Sequence, residues 1–327
     1  MKKLTNVLKS QYPIICGPMA WTSMSALVGA VTNAGGFGVL GVGFAPNDVV
    51  KQQIEATRAL TAGEFAINVT LSRAADENIE RITELAAANH LQYIYADNFE
   101  GLDRDFTQKW FDRWHAQGMT VLTKVATVQE AVIADACAAD VIIAKGREGG
   151  GHMTTEGTLA LVPQVVDATH HALVVASGGI ADGRGFAAAR ALGAVGVEMG
   201  TVFMAATEGD IHENVKRAVI QAVDGDVVTT GASTGGPCWQ LQNHLSDRLN
   251  QIERDHKMSD AAPLVAQAAA SSLRIASTEG EIDEKGAVMA GQVVPLVKTI
   301  RPVKEILATV YDDGQQILQR LQASAEN

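Results

Sequence analysis

Short apolar runs separated by amphipathic helical patterns recur along the first two thirds of the chain. Strands that are buried on both faces read as continuous apolar runs, which is typical of parallel sheets covered by helices. Eight such runs are predicted as strands, at residues 12–16, 37–40, 65–69, 92–95, 120–124, 140–144, 173–176 and 196–199. The helical patterns between them include residues 25–33, 47–59, 76–88, 128–138 and 159–170.

Eight strand and helix units in roughly 220 residues predict an α/β fold, the TIM (β/α)8 barrel. A doubly wound sheet is the competing architecture, because residues 36–41 read Gly-Phe-Gly-Val-Leu-Gly and satisfy G-x-G-x-x-G. A dinucleotide fingerprint follows a strand and opens a helix, whereas these glycines run through the second predicted strand after a helix. The barrel is therefore the preferred prediction.

The strand and helix alternation changes after residue 223. Residues 226–239 mix Val, Thr and Gly, and helical patterns follow at 240–254 and 261–276 before a polar interval at 277–286. We expect a barrel over 1–223, a smaller appended subdomain over 224–300 that covers one barrel face, and a C-terminal helix over 301–327 that packs back on the barrel.

Composition excludes several classes of protein. The formal net charge of −11, from 37 acidic and 26 basic residues, offers no basic surface for nucleic acid or for a membrane. The N-terminus carries charge too early for a signal peptide, and no apolar run is long enough to span a bilayer, so a cytoplasmic protein is expected. Three widely spaced cysteines predict neither a disulfide framework nor a metal site.

The most informative strand end is that of the sixth predicted strand, because TIM barrels carry their chemistry at the C-terminal ends of the strands. Residues 145–152 read Lys-Gly-Arg-Glu-Gly-Gly-Gly-His. The glycines leave room for a flat ligand to approach the main chain, and His152 is suited to exchange protons near neutral pH. A flexible surface loop with a solvated histidine is the alternative for this segment alone.

The seventh and eighth strands end in glycine turns that lead into helices. Backbone N–H groups at Gly178, Gly179 and Gly200, together with the helix dipoles, are predicted to bind a phosphate. The alternative is that these glycines only permit tight turns. Beside this predicted phosphate site, Met19 and Asn68 at other strand ends leave a flat apolar space that suits an isoalloxazine ring.

The ordered set of motifs resembles the FMN-dependent barrels that include nitronate monooxygenases (2-nitropropane dioxygenases) and enoyl-acyl-carrier-protein reductase II. The resemblance covers nearly the whole chain. It rests on Tyr12-Pro13-Ile14, Met19-Ala20-Trp21, Gly150-Gly151-His152, the run from Gly178 to Gly183, and Met289-Ala290-Gly291-Gln292.

The resemblance implies that FMN is the cofactor, that NAD(P)H is its reductant and that His152 is the catalytic residue. In the reductase branch His152 would position or protonate an enoyl thioester. The cofactor-binding residues implied are Met19, Asn68, Lys145, Gly150, Gly151, Ser177, Gly178, Gly179, Glu198, Met199, Gly200 and Thr201.

Substrate identity is less constrained, since the fourth strand ends Tyr95-Ala96-Asp97-Asn98-Phe99 where reductase II enzymes have a glycine-rich turn. Lys145 and Glu198 also depart from the family's pattern. The predicted substrate contacts are Ala20, Asp97, Asn98 and Trp239.

Enoyl-acyl-carrier-protein reductase is the preferred function, because Ser272-Leu273-Arg274 and the later Met289 motif look more like that branch. It implies an acyl-thioester or other small-molecule substrate, acyl carrier protein as a partner and a homodimer. Oxidation of nitronates, or reduction of a quinone, is the alternative within the family. A phosphate-binding isomerase or lyase without flavin, and a flavin-binding protein without turnover, are the alternatives from other classes.

Overall fold

The computed structural model describes residues 3–325, and within that range eight parallel strands close into a barrel. Their order around the barrel is β1-β2-β3-β4-β5-β6-β8-β9, so consecutive strands are neighbours and β1 pairs with β9. The predicted TIM barrel is thus confirmed. The barrel strands are β1 Ile14–Cys16, β2 Phe37–Leu40, β3 Ala66–Thr70, β4 Tyr93–Asp97, β5 Thr120–Val125, β6 Val141–Lys145, β8 Leu173–Ser177 and β9 Gly196–Met199.

Helices cover the outside of the barrel and continue into the C-terminal part of the chain. The α-helices are α1 Leu4–Leu8, α2 Ser25–Asn33, α3 Asn47–Leu60, α4 Asp76–Ala88, α5 Arg104–Ala116, α6 Val128–Ala136, α7 Thr158–Ala168, α8 Gly183–Ala191, α9 Thr201–Met204, α10 Glu213–Gln221, α11 His244–Asp255, α12 Met258–Ala269, α13 Ser272–Arg274 and α14 Val303–Ala325. Short 3₁₀ turns lie at Arg73–Ala75, Ala232–Thr234 and Val294–Leu296, and a π-helical turn lies at Ile275–Glu279. None of the described helices is long and apolar enough to cross a membrane.

Helix α1 closes the N-terminal end of the barrel. The Tyr93 hydroxyl donates to the Val7 carbonyl oxygen at 2.8 Å, and Leu4 packs so tightly on Gly196 that a Cβ there would lie 2.4 Å from Leu4 Cδ2. Inside, the Phe37 and Tyr93 rings meet edge to face at 5.1 Å. Because large side chains fill this end, a ligand must enter from the C-terminal ends of the strands.

A second, three-stranded antiparallel sheet lies outside the barrel. It contains β7 (Gly151–His152), β11 (Cys238–Leu241) and β10 (Val227–Thr230), with β11 in the middle. Strands β10 and β11 come from the region predicted as an appended subdomain, whereas β7 comes from the loop after β6. The sheet therefore links the two regions, and the division of the chain at residue 223 stays a prediction.

The helix predicted over 240–254 begins too early. Gln240 and Leu241 belong to β11, and α11 starts at His244 because Asn243 caps it. The Asn243 side chain accepts from the Ser246 backbone N–H, and the Ser246 hydroxyl accepts from the Asn243 N–H, which is a capping box. The next predicted helix, over 261–276, is α12 followed by the separate short α13.

The C-terminal helix α14 lies against α8 and α2, as the sequence predicts for residues 301–327; residues 1, 2, 326 and 327 of the predicted ranges lie outside the described part. The Tyr311 ring lies 5.7 Å from Phe186 and 5.3 Å from Tyr12. At Gly314 an added Cβ would lie 2.5 Å from Phe186 Cδ1, so the two helices meet with almost no space between them.

The substitution Gly314→Val is expected to lower the free energy of unfolding by about 1–3 kcal/mol, because the added methyl groups force α14 away from Phe186. Asp312→Val, at an exposed position of the same helix, should change it by no more than about 0.5 kcal/mol. Urea unfolding followed by circular dichroism measures both. Equal stability of the two variants would contradict the close α8–α14 contact.

Candidate active site

A cavity opens at the C-terminal ends of the barrel strands and encloses about 1380 Å³, including the space at its open mouth. The part of this space that a water-sized molecule can reach is about 240 Å³. Most of the predicted site residues line it: Met19, Ala20, Asn68, Asp97, Lys145, Gly150, Gly151, His152, Ser177, Gly178, Gly179, Glu198, Met199, Gly200 and Thr201.

The floor of the cavity carries the buried carboxylate of Glu198. It accepts hydrogen bonds at 2.8 Å from the Tyr95 hydroxyl and at 2.8 Å from the Ser177 hydroxyl. Burial raises the pKa of Glu198, while these two hydrogen bonds oppose that rise. A Cβ at residue 17 would lie 2.8 Å from Glu198 Cδ. Glycine at this position therefore leaves room for the carboxylate.

The glycines after β6 line the cavity and pack the loop closely on its neighbours, while the space predicted beside them for a flat ligand stays a prediction. A Cβ at Gly150 would lie 2.8 Å from the Ala290 carbonyl carbon, and one at Gly149 would lie 2.7 Å from Lys145 Cε. These glycines let the loop pack directly on the Met289 segment and on Lys145. The loop and the Met289 segment therefore form the cavity wall with their main chains in close contact.

Lys145 lies in the cavity wall and holds the loop that follows its own strand. Its ammonium donates to the carbonyl oxygens of Gly150 at 3.0 Å and of His152 at 2.8 Å. Burial, and then the positive charge of Lys124, lower the pKa of Lys145 to about 8. Lys145 therefore positions the His152 segment and does not point out to solvent.

His152 is held on β7, where it pairs with Cys238 of β11. Its ring centroid lies 4.4 Å from that of Phe99, and a Cβ at Gly236 would lie 2.9 Å from His152 Cδ2. Burial, followed by the positive charges of Lys124 and Lys145, lowers the pKa of His152 to about 4. Near neutral pH the imidazole is thus uncharged, with one nitrogen that donates and one that accepts.

The two predicted phosphate turns lie side by side on the same cavity. Gly178 and Gly179 have φ values of +95° and +72°, a conformation that L side chains rarely adopt. The turn leads to α8, whose first N–H groups are capped by Asp182. Gly200 follows β9 and directly precedes α9. The arrangement places two glycine turns where a phosphate is expected in barrels of this type.

Two predicted cofactor contacts also hold the cavity wall together. Asn68 Oδ1 accepts from the backbone N–H groups of Val42 at 2.8 Å and Gly43 at 2.6 Å. The Thr201 hydroxyl accepts from the Gly291 N–H at 3.0 Å and so ties the Met289 segment to α9. These side chains shape the cavity whatever ligand it holds.

Asn98 and Trp239 do not line the cavity. Asn98 is buried, and its Oδ1 accepts from the Glu100 N–H in the loop after β4. Trp239 lies on the outer sheet, where its indole N–H donates to the Arg147 carbonyl oxygen at 2.7 Å. Neither is placed as a substrate contact, in contrast to the prediction.

The residues of the cavity wall that sequence reasoning missed include Lys124, Phe44 and Phe99. Lys124 lies near the end of β5, is buried, and forms an ion pair with Asp97. A lysine within a predicted buried strand is unusual, so its position was the available signal. Phe44 and Phe99 lie in loops, where the sequence gives no signal of their stacking.

The chain matches known proteins over nearly its full length. The family model described as nitronate monooxygenase matches residues 1–313. A probable nitronate monooxygenase of Staphylococcus aureus (strain JH9) is 28% identical, over 97% of this chain and 98% of the relative. FabK from Thermotoga maritima superposes with a TM-score of 0.89 at 31% identity over 99% of each chain. The nitroalkane oxidase of Streptomyces ansochromogenes gives 0.80 at 26% identity, over 97% of this chain and 99% of that one.

The ionisation of His152 gives a first test of the site. Because burial lowers its pKa to about 4, the imidazole should stay neutral between pH 5.5 and pH 8. The ring Cε1–H resonance, followed by NMR and assigned with a His152→Gln variant, should show no titration in that range. A midpoint at or above pH 6.5 would contradict the burial and charge environment described.

The positioning role of Lys145 gives a second test. Lys145→Met removes two hydrogen bonds from a charged donor, each worth roughly 1.5–3 kcal/mol, so amides of residues 146–153 should exchange on the order of 10²-fold faster or more. Hydrogen exchange with mass spectrometry measures this. Lys298→Met, which removes a single bond to the Ala222 carbonyl elsewhere, is the matched control. Unchanged exchange in the Lys145 variant would show that Lys145 does not hold the segment.

Proposed function

Since the chain belongs to the nitronate monooxygenase family and is an FMN-dependent oxidoreductase, we propose that it is an NAD(P)H-dependent reductase of enoyl thioesters. In this proposal FMN lies at the mouth of the barrel. FMN would supply the hydride chemistry that links a nicotinamide to the β-carbon of the substrate's double bond.

The lining of the cavity fits the chemistry of FMN. The turns at Gly178–Gly179 and Gly200 are suited to hold the phosphate through backbone N–H groups, while the loop at Gly150 and the Met19 segment offer flat walls for the ring system. When bound, FMN supplies two-electron hydride chemistry. The protein's contribution is to bind, to orient and to set the charges around the reacting atoms.

The observation that carries the choice of an enoyl thioester is the aromatic pair at the mouth. Phe44 and Phe99 stack at 6.1 Å with an angle of 29°, and they remain 69% and 37% exposed. Phe99 also contacts His152. Exposed apolar surface that leads directly to the site is suited to guide an acyl chain held on a carrier outside the cavity. The likeness to FabK, of the enoyl-acyl-carrier-protein reductase II type, supports the same choice.

The neutral imidazole of His152 defines its proposed role. It has an N–H that can donate to the thioester carbonyl oxygen, which polarises the conjugated double bond toward hydride addition. It carries no imidazolium proton near pH 7. His152 therefore binds and orients the carbonyl, and the proton for the α-carbon comes from another source.

Nitronate oxidation is the second candidate function, and a specific feature favours it. Lys124 and Lys145 both place positive charge near His152, and a nitronate is an anion. The Staphylococcus aureus relatives are also named as probable nitronate monooxygenases. A nitronate is too small to need the exposed pair of Phe44 and Phe99 at the cavity mouth. The thioester is therefore preferred.

The two functions differ in what reduces the flavin. Purified protein reconstituted with FMN should be yellow, should bleach anaerobically with NADH or NADPH, and should regain its colour on addition of crotonyl-CoA. Bleaching by ethyl nitronate, with none by either nicotinamide, would replace the reductase by the nitronate oxidase. Failure to bind FMN would reject both.

His152→Ala should keep its FMN and its reduction by nicotinamide, but should slow reoxidation by crotonyl-CoA on the order of 10²-fold, because the oriented N–H donor is lost. Stopped-flow absorbance separates the two steps. His256→Ala, an exposed histidine on the outer helices, is the matched control and should behave as the wild type. An unchanged reoxidation rate in the His152 variant would remove its assigned role.

A further inference from the structure

A buried ion pair in the cavity wall has no contact with the substrate in the thioester reduction described so far. Lys124 on β5 and Asp97 at the end of β4 form this pair, and their side chains are only 10% and 8% exposed. A buried ion pair costs more desolvation energy than it commonly returns, and replacing such a pair by apolar residues is often neutral or stabilising. Its presence inside a ligand cavity therefore points to a use.

The ammonium of Lys124 reaches the same ring that His152 contacts. Lys124 Nζ lies 4.2 Å from the centroid of the Phe99 ring, and the His152 centroid lies 4.4 Å from it. The cation–π contact and the Asp97 carboxylate together fix the ammonium on the ring that His152 also contacts. The field of Lys124 at His152 also contributes to the depressed pKa of the imidazole.

The Lys124 ammonium has N–H donors that Asp97 does not use and that a ligand can accept. Asp97 has Lys124 at one oxygen and the Asn68 amide N–H at 3.4 Å from the other, so the carboxylate is held from two sides. An ammonium has three N–H donors, and Asp97 accounts for one. The other charged groups of the wall have separate partners: Glu198 has Tyr95 and Ser177, and Lys145 has two carbonyl oxygens.

We propose that Lys124 is a catalytic residue whose ammonium contacts the carbonyl oxygen of the substrate, opposite the N–H of His152, and stabilises the negative charge that develops there. The proposal rests on the proposed function, which it deepens by naming the second donor of an oxyanion site. Asp97 and Phe99 are its positioning residues.

The step balances with the partners already named. Reduced FMN, when bound, would supply the hydride with its electron pair for the new bond to the β-carbon and would thereby be oxidised. The π electrons of the double bond move toward the carbonyl, whose oxygen becomes an enolate between Lys124 and His152. The α-carbon then takes a proton from water, which completes the saturated thioester.

The kinetic test uses the holoenzyme. Lys124→Met should retain FMN and nicotinamide-dependent bleaching, whereas reoxidation by crotonyl-CoA should fall 10²- to 10³-fold, the loss typical of a missing oxyanion donor. Lys124→Arg, which retains the charge, should recover most of this rate. Lys109→Met is the matched control, because Lys109 also pairs with an aspartate, Asp76, and lies 4.8 Å from an aromatic ring, but outside the cavity.

A second readout does not depend on turnover. Acetoacetyl-CoA ionises to an absorbing enolate, and its apparent pKa when bound to oxidised holoenzyme should lie on the order of two units lower with wild type than with Lys124→Met. This shift in wild type, without any crotonyl-CoA reduction, would reject the proposed reaction but support the oxyanion contact. Equal enolate pKa values and equal reoxidation rates in the two proteins would overturn it. Loss of FMN from both Lys124 variants would also overturn it, since the role would then be structural.

Discussion

The pairing of β7 with β11 is the interaction on which the site depends. Without it, the loop after β6 would be a glycine-rich segment free to move, and His152 would have no fixed position. Cys238 pairs with His152 in the sheet, the Met153 N–H donates to the Pro237 carbonyl oxygen at 2.8 Å, and the Trp239 indole holds Arg147. Lys145 secures the same loop from the barrel side. A strand of two residues is thus fixed from both of its sides.

The second constraint is electrostatic. Two buried lysines and two buried acids line one cavity, and each has a separate set of partners. Asp97 pairs with Lys124, whereas hydroxyl groups of Tyr95 and Ser177 satisfy Glu198. The positive charges nearest His152 act with its burial to keep the imidazole neutral. In the proposed reaction, a neutral histidine orients the substrate and a lysine stabilises the charge that develops on it.

The sequence could predict the barrel because its strands are buried on both faces and so read as uninterrupted apolar runs. It could also locate most of the cavity-lining residues, since a known fold fixes which strand ends converge. It could not predict β10 and β11, because Pro237 and several glycines interrupt that region and Gln240 continues a helical pattern. The sequence could not predict the contacts of Trp239 and Lys124, because these contacts depend on the direction of a side chain at a loop or strand end. The roles assigned to individual residues stay predictions.

A crystal structure of the protein grown with FMN is the most direct test of the central claim, that the barrel mouth is a flavin site oriented by two glycine turns. The account predicts the phosphate between the turns at Gly178–Gly179 and Gly200, with the ring system along the Gly150 loop and one face open toward His152. A flavin bound elsewhere, or one with its phosphate at the aromatic mouth beside Phe44, would contradict it.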